Sequence, residues 1–526
     1  MMRGLSLGAA FFFPLIQFSA CAQSTHDTPG YGTHPDGGDD DGSVISGGQC
    51  PTDTLPTDNA CAINEKFGLF VSSSRGSPAG DGSMARPFPS VQQAIDAAKT
   101  SRLRVYACAE SFKESLTLAD GVSLFGYFDC STPKWTVSQG RARIDSPTSP
   151  AATVTGAVSP TRIEAFEFNA PDATAPSASS IGWIAVSSPG VSIYYARIHA
   201  GTGKKGADGV DGIQLTQNGT LDGTSGVVVG ECGGGIARFA CDALHSGGLG
   251  GTSVCNGAPD HTGGQGGNGG FGGQWGHTTV LVQIQPATFG SPQPGTATTA
   301  VGANDDHVHS AAPGGKGADG ANGASSAALG AFSAQGYAPA DGAAGADGKP
   351  GTAGGGGAGL PPIISDMTSS STDWYGPSGA GGGAGGCPGL AGTAGKGGGA
   401  SIAIVAIDSP LHIHKSTIEA SQGGDGGKGT FGSNPTRAGT AGVGVSDPKY
   451  GPNPLGGYGG GGGLSGLSGH GAGGPSIAIV HHGGAPDLDA TVPTVGAGGA
   501  AQVALTSGAK VIAASIAGAS APTFGF

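Results

Sequence analysis

His412 and His414, in "LHIHKST", are separated by one residue and would leave the same face of a strand, where two imidazoles can grip one metal ion. The same donor types recur in "DDHVH" (Asp305 to His309) and at His481 and His482, without an identifiable third ligand. A solvated strand face opposite a buried Ile413 accounts for the pair equally well, so no metal site is assigned. Calcium has its own candidate. "GGKGADGAN" from Gly314 matches the nonapeptide G-G-x-G-x-D-x-U-x except for Ala321 at its apolar position, and "GKKGADGVD" from Gly203 is a looser copy. Calcium in such a motif is held between successive copies by several oxygens, and these two copies lie far apart. Asp208, Asp211 and Asp319 are therefore expected to be solvated turn residues, and no cofactor is expected.

"GGDGGKGT" places Gly429 after Lys428, where a phosphate loop needs Ser or Thr. Lyase chemistry on polysaccharides asks for carboxylates holding calcium beside an Arg or Lys base. Arg162, Glu164 and Glu167 share the segment "TRIEAFEF", but Glu164 and Glu167 fall on opposite faces of a regular strand and would not line one groove. The only G-x-S-x-G string, Gly4 to Gly8, lies in the apolar N-terminal run and is not read as a nucleophile elbow. No catalytic residue is named.

The elements that would position any site are set by an unusual composition. Of 526 residues, 107 are Gly and 35 Pro, about 27% together, which enters the low-complexity range. Charged residues are only 12%, too few to keep a chain expanded by repulsion. The net charge of -13 argues against nucleic acid and anionic lipid as partners.

Residues 1–20 carry Arg3, an apolar run from Leu5 to Phe18 containing Pro14, then Ser19 and Ala20 before Cys21. The run is short for a membrane span. It resembles a bacterial lipoprotein signal, with Phe18 standing where Leu is usual; the resemblance implies cleavage before Cys21 and lipidation of its thiol. An ordinary signal peptide cut near Ala20 or Ala22 is the alternative. Lipidation of Cys21 leaves Cys50, Cys61, Cys108, Cys130, Cys232, Cys241, Cys255 and Cys387, an even set for an oxidising compartment. Local pairs are the simplest choice (50 with 61, 108 with 130, 232 with 241), leaving 255 with 387, although sequence does not fix connectivity. Residues 21–62 read as an acidic, Gly/Pro-rich tether. Ala22, where an Asp would favour the inner membrane, fits an outer-membrane or cell-surface location.

From Arg86 to Trp135 the pattern becomes regular. Val91, Ala94, Ile95 and Ala98 have helical spacing behind a capping Ser90, and short alternating strands follow at Leu103–Val105, Leu116–Leu118 and Val122–Tyr127. The segment resembles the opening of a pectin-lyase-like family of unassigned function. Its helix motif falls on Pro87 to Ala98, its "V-Y-V" on Arg104 to Ala107, its "G-T-Y-x-E" on Glu110 to Glu114, and its "L-x-x-G-V-x-L-x-G-G-Y" on Leu118 to Tyr127. Glu110, Ser111 and Phe112 depart from Gly-Thr-Tyr. The resemblance implies a fold and no activity.

Later segments echo one another. Ile181, Val186, Pro189, Ile193, Ile198 and Ala200 overlay Ile402, Ile407, Pro410, Ile413, Ile418 and Ala420 once one turn residue is removed, and "SIAIVHH" at Ser476 begins a third copy. Between them, Gly recurs every third residue in seven blocks, from 203–212 to 457–469. A period of three matches the polyproline II helix, and one glycine edge would let such helices approach and hydrogen-bond sideways. Irregular loops are the alternative. A continuous collagen helix is rejected because apolar strands such as "TTVLVQI" interrupt the blocks.

The expected fold is mainly β: a right-handed parallel β-helix-like strand stack with a short N-terminal helix and Gly-rich insertions, polyglycine II-like or irregular. The expected organisation is a signal peptide at 1–20, a tether at 21–62, a β-helix-like region at 63–200, and a Gly-rich region interleaved with strands at 201–526. The expected function is a structural or adhesive lipoprotein, non-catalytic, bound to the membrane through its lipid and contacting polysaccharide or surface protein. A polysaccharide lyase or hydrolase on the same scaffold is the alternative.

Overall fold

A computed structural model describes residues 50–101, 103–226, 247–256, 274–278, 281–285, 311–359, 378–444, 446–447, 451–452 and 455–526. Cys21, Cys232, Cys241 and Asp305 to His309 lie outside them. Contacts divide the chain into residues 1–50 and the unit Pro51–Phe526.

The repeated apolar segments build three parallel sheets. Sheet A runs Gly68–Val71, Arg104–Cys108, Leu124–Asp129, Thr161–Glu164, Val191–Tyr194, His412–His414, Asp487–Asp489. Sheet B runs from Ser111–Phe112 through Ala142–Asp145, Phe166–Ala170, Arg197–Ala200 and Thr417–Ala420 to Val492–Val495. Sheet C runs from Leu116–Thr117 through Ala152–Thr155, Ser180–Val186, Ser401–Ile407 and Ser476–His482 to Ser520–Gly525. From Leu116 onward the chain visits C, A and B in cyclic order, so each circuit lies on the one before. The repeat in the sequence is the ladder register: Ile181 pairs with Ile402, Val186 with Ile407, Ile193 with Ile413, Ile198 with Ile418 and Ala200 with Ala420. Parallel stacking sets like against like, and the inward residues, among them Phe166, Phe168, Trp183, Ile404 and Ile479, form one buried core.

Sheet C is apolar on both faces. Ile181, Ile184, Ile402, Val405, Ile477 and Val480 form a second cluster outside the core, covered by Phe332 and Tyr337 of a hairpin from a Gly-rich insertion. Two-sided burial explains why "SIAIVAI" is a continuous apolar run instead of an alternation. The helix Val91–Ala98 closes the other end, burying Val91, Ala94, Ile95 and Ala98. Ser90 accepts from the Gln93 N–H at 3.2 Å, and Glu114 accepts from the Val91 N–H at 2.8 Å and the Ser90 hydroxyl at 2.6 Å.

Residues 52–62, expected to belong to a tether, are held against the strands. Arg104 donates to the carbonyls of Thr52 and Thr54, Tyr106 donates to that of Ala62, and Leu55 packs against the aromatic cluster of Phe70, Tyr106, Phe125, Phe128 and Trp135. Residues 63–200 and 201–526 share all three sheets.

Every long insertion leaves between a sheet B strand and the next sheet C strand: after Ala200, Ala420 and Val495. The Gly blocks in these insertions bond to each other every third residue. Gly203, Gly206 and Gly209 donate to Gln422, Asp425 and Lys428 at 2.8–2.9 Å. Gly314, Gly317, Gly320 and Gly323 donate to Tyr458, Gly461, Leu464 and Leu467 at 2.7–2.9 Å. The segment 457–469 lies between three others. It accepts from 314–323 and from Gly383, Gly386, Gly389 and Gly395, and it donates to Thr352, Lys349, Ala346 and Ala343. Neighbours approach to backbone contact: a Cβ on Gly463 would fall on the Ala318 carbonyl oxygen. These segments carry no ladder of their own, yet at least every third amide in 314–323 and 342–354 is paired with a neighbouring segment.

Candidate functional site

The outward side of sheet A gathers four of the candidate residues, Arg162, Glu164, His412 and His414. Ile163, Ile193 and Ile413 face the core in register, which turns their neighbours outward. Glu164, Tyr194, His414 and Asp489 form one row along the stack; Arg162, Ser192, His412 and Asp487 form the next. The Arg162 guanidinium sits 3.4 Å from the Tyr194 ring centroid and bonds Glu164 at 2.7 Å. Glu164 is only 3% exposed, so its charge is committed to Arg162. His412 and His414 meet Asp487 and Asp489 at 3.2 and 2.5 Å.

"TRIEAFEF" is not one strand. Ala165 has φ 56° and turns the chain between Thr161–Glu164 in sheet A and Phe166–Ala170 in sheet B. Both glutamates face outward, from different sheets; Glu167 pairs with Arg197 at 2.7 Å, and Arg197 also binds Glu419. The turn puts the two carboxylates in separate ion pairs, where alternation along a single strand had put them on opposite faces.

The aspartates of the calcium-like motifs cross-link the Gly-rich segments. Asp208 accepts from the Lys428 N–H at 2.8 Å and pairs with Lys205; Asp319 accepts from the Leu464 N–H at 2.7 Å and pairs with Lys316. Desolvation opposes ionisation of Asp208, but its bonds from Lys205 and Lys428 hold the carboxyl below its usual range; Lys316 first, then the Leu464 amide, do so for Asp319. Asp222, Asp341 and Asp425 accept backbone N–H groups in the same way. They satisfy backbone amides of neighbouring segments, on Lys428, Leu464, Thr440, Gly397 and Ala500, a role not expected of Asp208 and Asp319 as solvated turn residues. Lys428 is backbone in this network too, its carbonyl accepting from Gly209. Among the described residues no group of three or more His, Cys, Asp or Glu side chains converges on a metal position.

Cys108 is bonded to Cys130 and Cys255 to Cys387, with Cα separations of 5.8 and 5.9 Å. Cys50 and Cys61 are both oxidised. The first bridge borders an open cleft of about 540 Å³ lined by Arg75, Glu110, Asp129 and Ser131. Sequence reading marked Glu110 only as a departure from the motif and gave it no role. Its carboxylate accepts from the hydroxyls of Ser72, Ser73 and Ser74 and from the Ser73 N–H at 2.6 Å. The Arg75 guanidinium is fixed on the carbonyls of Cys130 and Thr132 at 2.6 and 2.7 Å. Arg75 and Glu110 are thus engaged in holding the cleft walls, and Asp129 accepts from the Ser131 N–H at 2.9 Å. Among the described residues no helix is long and apolar enough to cross a membrane. No family model, curated protein or solved structure matches the chain.

Proposed function

We propose that this protein is a structural or adhesive lipoprotein of the cell surface, anchored through Cys21 and without catalytic activity. Its body is read as a right-handed parallel β-helix carrying a polyglycine II-like bundle. The observation that carries this reading is the three-residue hydrogen-bond period that joins the Gly segments 203–209, 314–323, 342–354, 383–395, 423–426 and 457–469. Such bonding fixes backbone over a large area with few side chains, which suits a stiff, protease-resistant projection. The outward charges support the same reading: Arg162, Glu164, Glu167, Arg197, Asp208 and Asp319 are each engaged in a pair or an amide bond.

The test uses the full chain and its C21S variant. Lipid labelling of the parent and not of C21S, with loss of the variant from the membrane, is the expected outcome for the anchor. The purified chain is then passed over acidic and neutral polysaccharides with and without calcium. Retention without turnover supports an adhesive role. Calcium-dependent release of unsaturated sugars, or new reducing ends, would overturn it in favour of a lyase or hydrolase.

A further inference from the structure

We propose that His412 and His414 form a two-histidine site for a borderline divalent cation such as Zn²⁺, Cu²⁺ or Ni²⁺, with water completing the coordination. Ile413 is buried in the core at 1% exposure, so both flanking imidazoles stand on the outer side of sheet A. Same-face positions on a strand lie about 7 Å apart at the backbone, within reach of two rings closing on one ion. Each ring is oriented by the next strand. The ladder sets His412 beside Asp487 and His414 beside Asp489, with Nδ1 to Oδ2 distances of 3.2 and 2.5 Å. An ionised carboxylate only accepts, so Nδ1 carries the proton and Nε2 keeps its lone pair.

An imidazole held at one nitrogen by a carboxylate and presenting the other is how proteins orient metal-binding histidines. Here that arrangement occurs twice, side by side, and sheet register imposes it. Neither Nε2 has a hydrogen-bond partner among the described residues. Tyr194 and Tyr195 lie beside the His414 ring, at 5.4 and 6.0 Å between centroids, and limit its movement. His482 provides an internal comparison. It meets Asp408 at 3.0 Å, but it stands at the end of a sheet C strand, and its neighbour His481 is adjacent in sequence and so leaves the opposite face. It supplies one donor where His412 and His414 supply two. Imidazole nitrogen favours zinc, copper and nickel over calcium and magnesium.

The full chain, made without a histidine tag and stripped with chelator, would be titrated with Cu²⁺ and with Zn²⁺ at about pH 7.5, where free imidazole is neutral. One equivalent should bind, and the Cu²⁺ electron paramagnetic resonance spectrum should show coupling to two imidazole nitrogens. H412Q and H414Q should each weaken binding about tenfold or more, D487N and D489N about tenfold, while H482Q leaves it unchanged. The altered side chains lie on the outer face, and circular dichroism would confirm the fold of each variant. Undiminished binding in the H412Q/H414Q double variant, or a spectrum with one coupled nitrogen that neither single variant changes, would overturn the proposal.

Discussion

The backbone N–H of Ser188 donates to the hydroxyl of Ser409 at 2.9 Å, across 221 residues of sequence. Ser409 donates in turn to the Ile407 carbonyl, and Ser188 makes the same local bond to Val186 while accepting from the Ala157 N–H. The serines of the two Ser-Pro-like turns therefore stack as a buried ladder at the corner between sheets C and A. The chain has by then regained its register at Ser401, after the insertion that follows Ala200, and this corner carries the register on into sheet A.

S409A should leave the Ser188 amide buried and unpaired. A loss of about 1–3 kcal/mol is expected, read by denaturant unfolding. An unchanged midpoint would show that the ladder does not hold this corner.

Two glycines in one segment provide a matched pair. A Cβ on Gly463 meets the Ala318 carbonyl, whereas nothing lies within 4 Å of one on Gly461. G463A should cost about 1–3 kcal/mol. G461A should stay within about 0.5 kcal/mol of the parent. Equal effects from the two would mean that the segments are not packed backbone to backbone.

His470 is fully buried in the Gly-rich segments, and its Nδ1 accepts from the Gly429 N–H at 2.7 Å. Burial holds the imidazole below its ordinary range; the Val503 carbonyl opposes this in part, and Lys428 adds to it. The neutral ring thus contributes stability that is complete above the ordinary imidazole pKa of 6.5 and is lost as pH falls through that value toward the lower folded one. Exchange of the Gly429 amide should quicken over that window in the parent. In H470Q it should be fast throughout. A parent profile flat across the window would remove His470 as the cause of any acid loosening.

The Cys255–Cys387 bridge closes a separation of 132 residues. C255S/C387S should lower stability by about 2–5 kcal/mol. The loss should register as faster exchange in the Gly segments before the sheets, because Leu215 and Leu390 are the apolar residues packed around it. Simultaneous loosening of sheets and segments would show one cooperative unit.

The circuits were legible because parallel neighbours repeat the same side-chain types: Ile193 over Ile413 and Ala200 over Ala420 need no knowledge of the fold to align. The N-terminal helix was legible for an equally local reason, its four apolar residues and Ser90 all lying within ten positions. The corners were not. Ala165, Tyr195, Lys415 and Ala490 take φ between 45° and 56° at successive turns from sheet A to sheet B, and none is Gly or Asn. Their conformation is imposed by the stack: the Ala165, Tyr195 and Lys415 amides donate to the Tyr194, His414 and Asp489 carbonyls of the next circuit. The roles of Asp208 and Asp319 were hidden likewise, since the amides they accept belong to segments more than a hundred residues away. The partners of His412 and His414 come from the next circuit, 75 residues on, and no local motif announces them.

The most direct test of the account is amide hydrogen exchange across residues 314–323. Gly314, Gly317, Gly320 and Gly323 donate to the neighbouring segment, and of the residues between them only Gly315 donates its amide, to the Thr352 hydroxyl at 2.7 Å. Protection at every third amide and at Gly315, lost around the contact in G463A, is the predicted result. Uniformly fast exchange through the segment would contradict the account, leaving irregular loops on a strand stack.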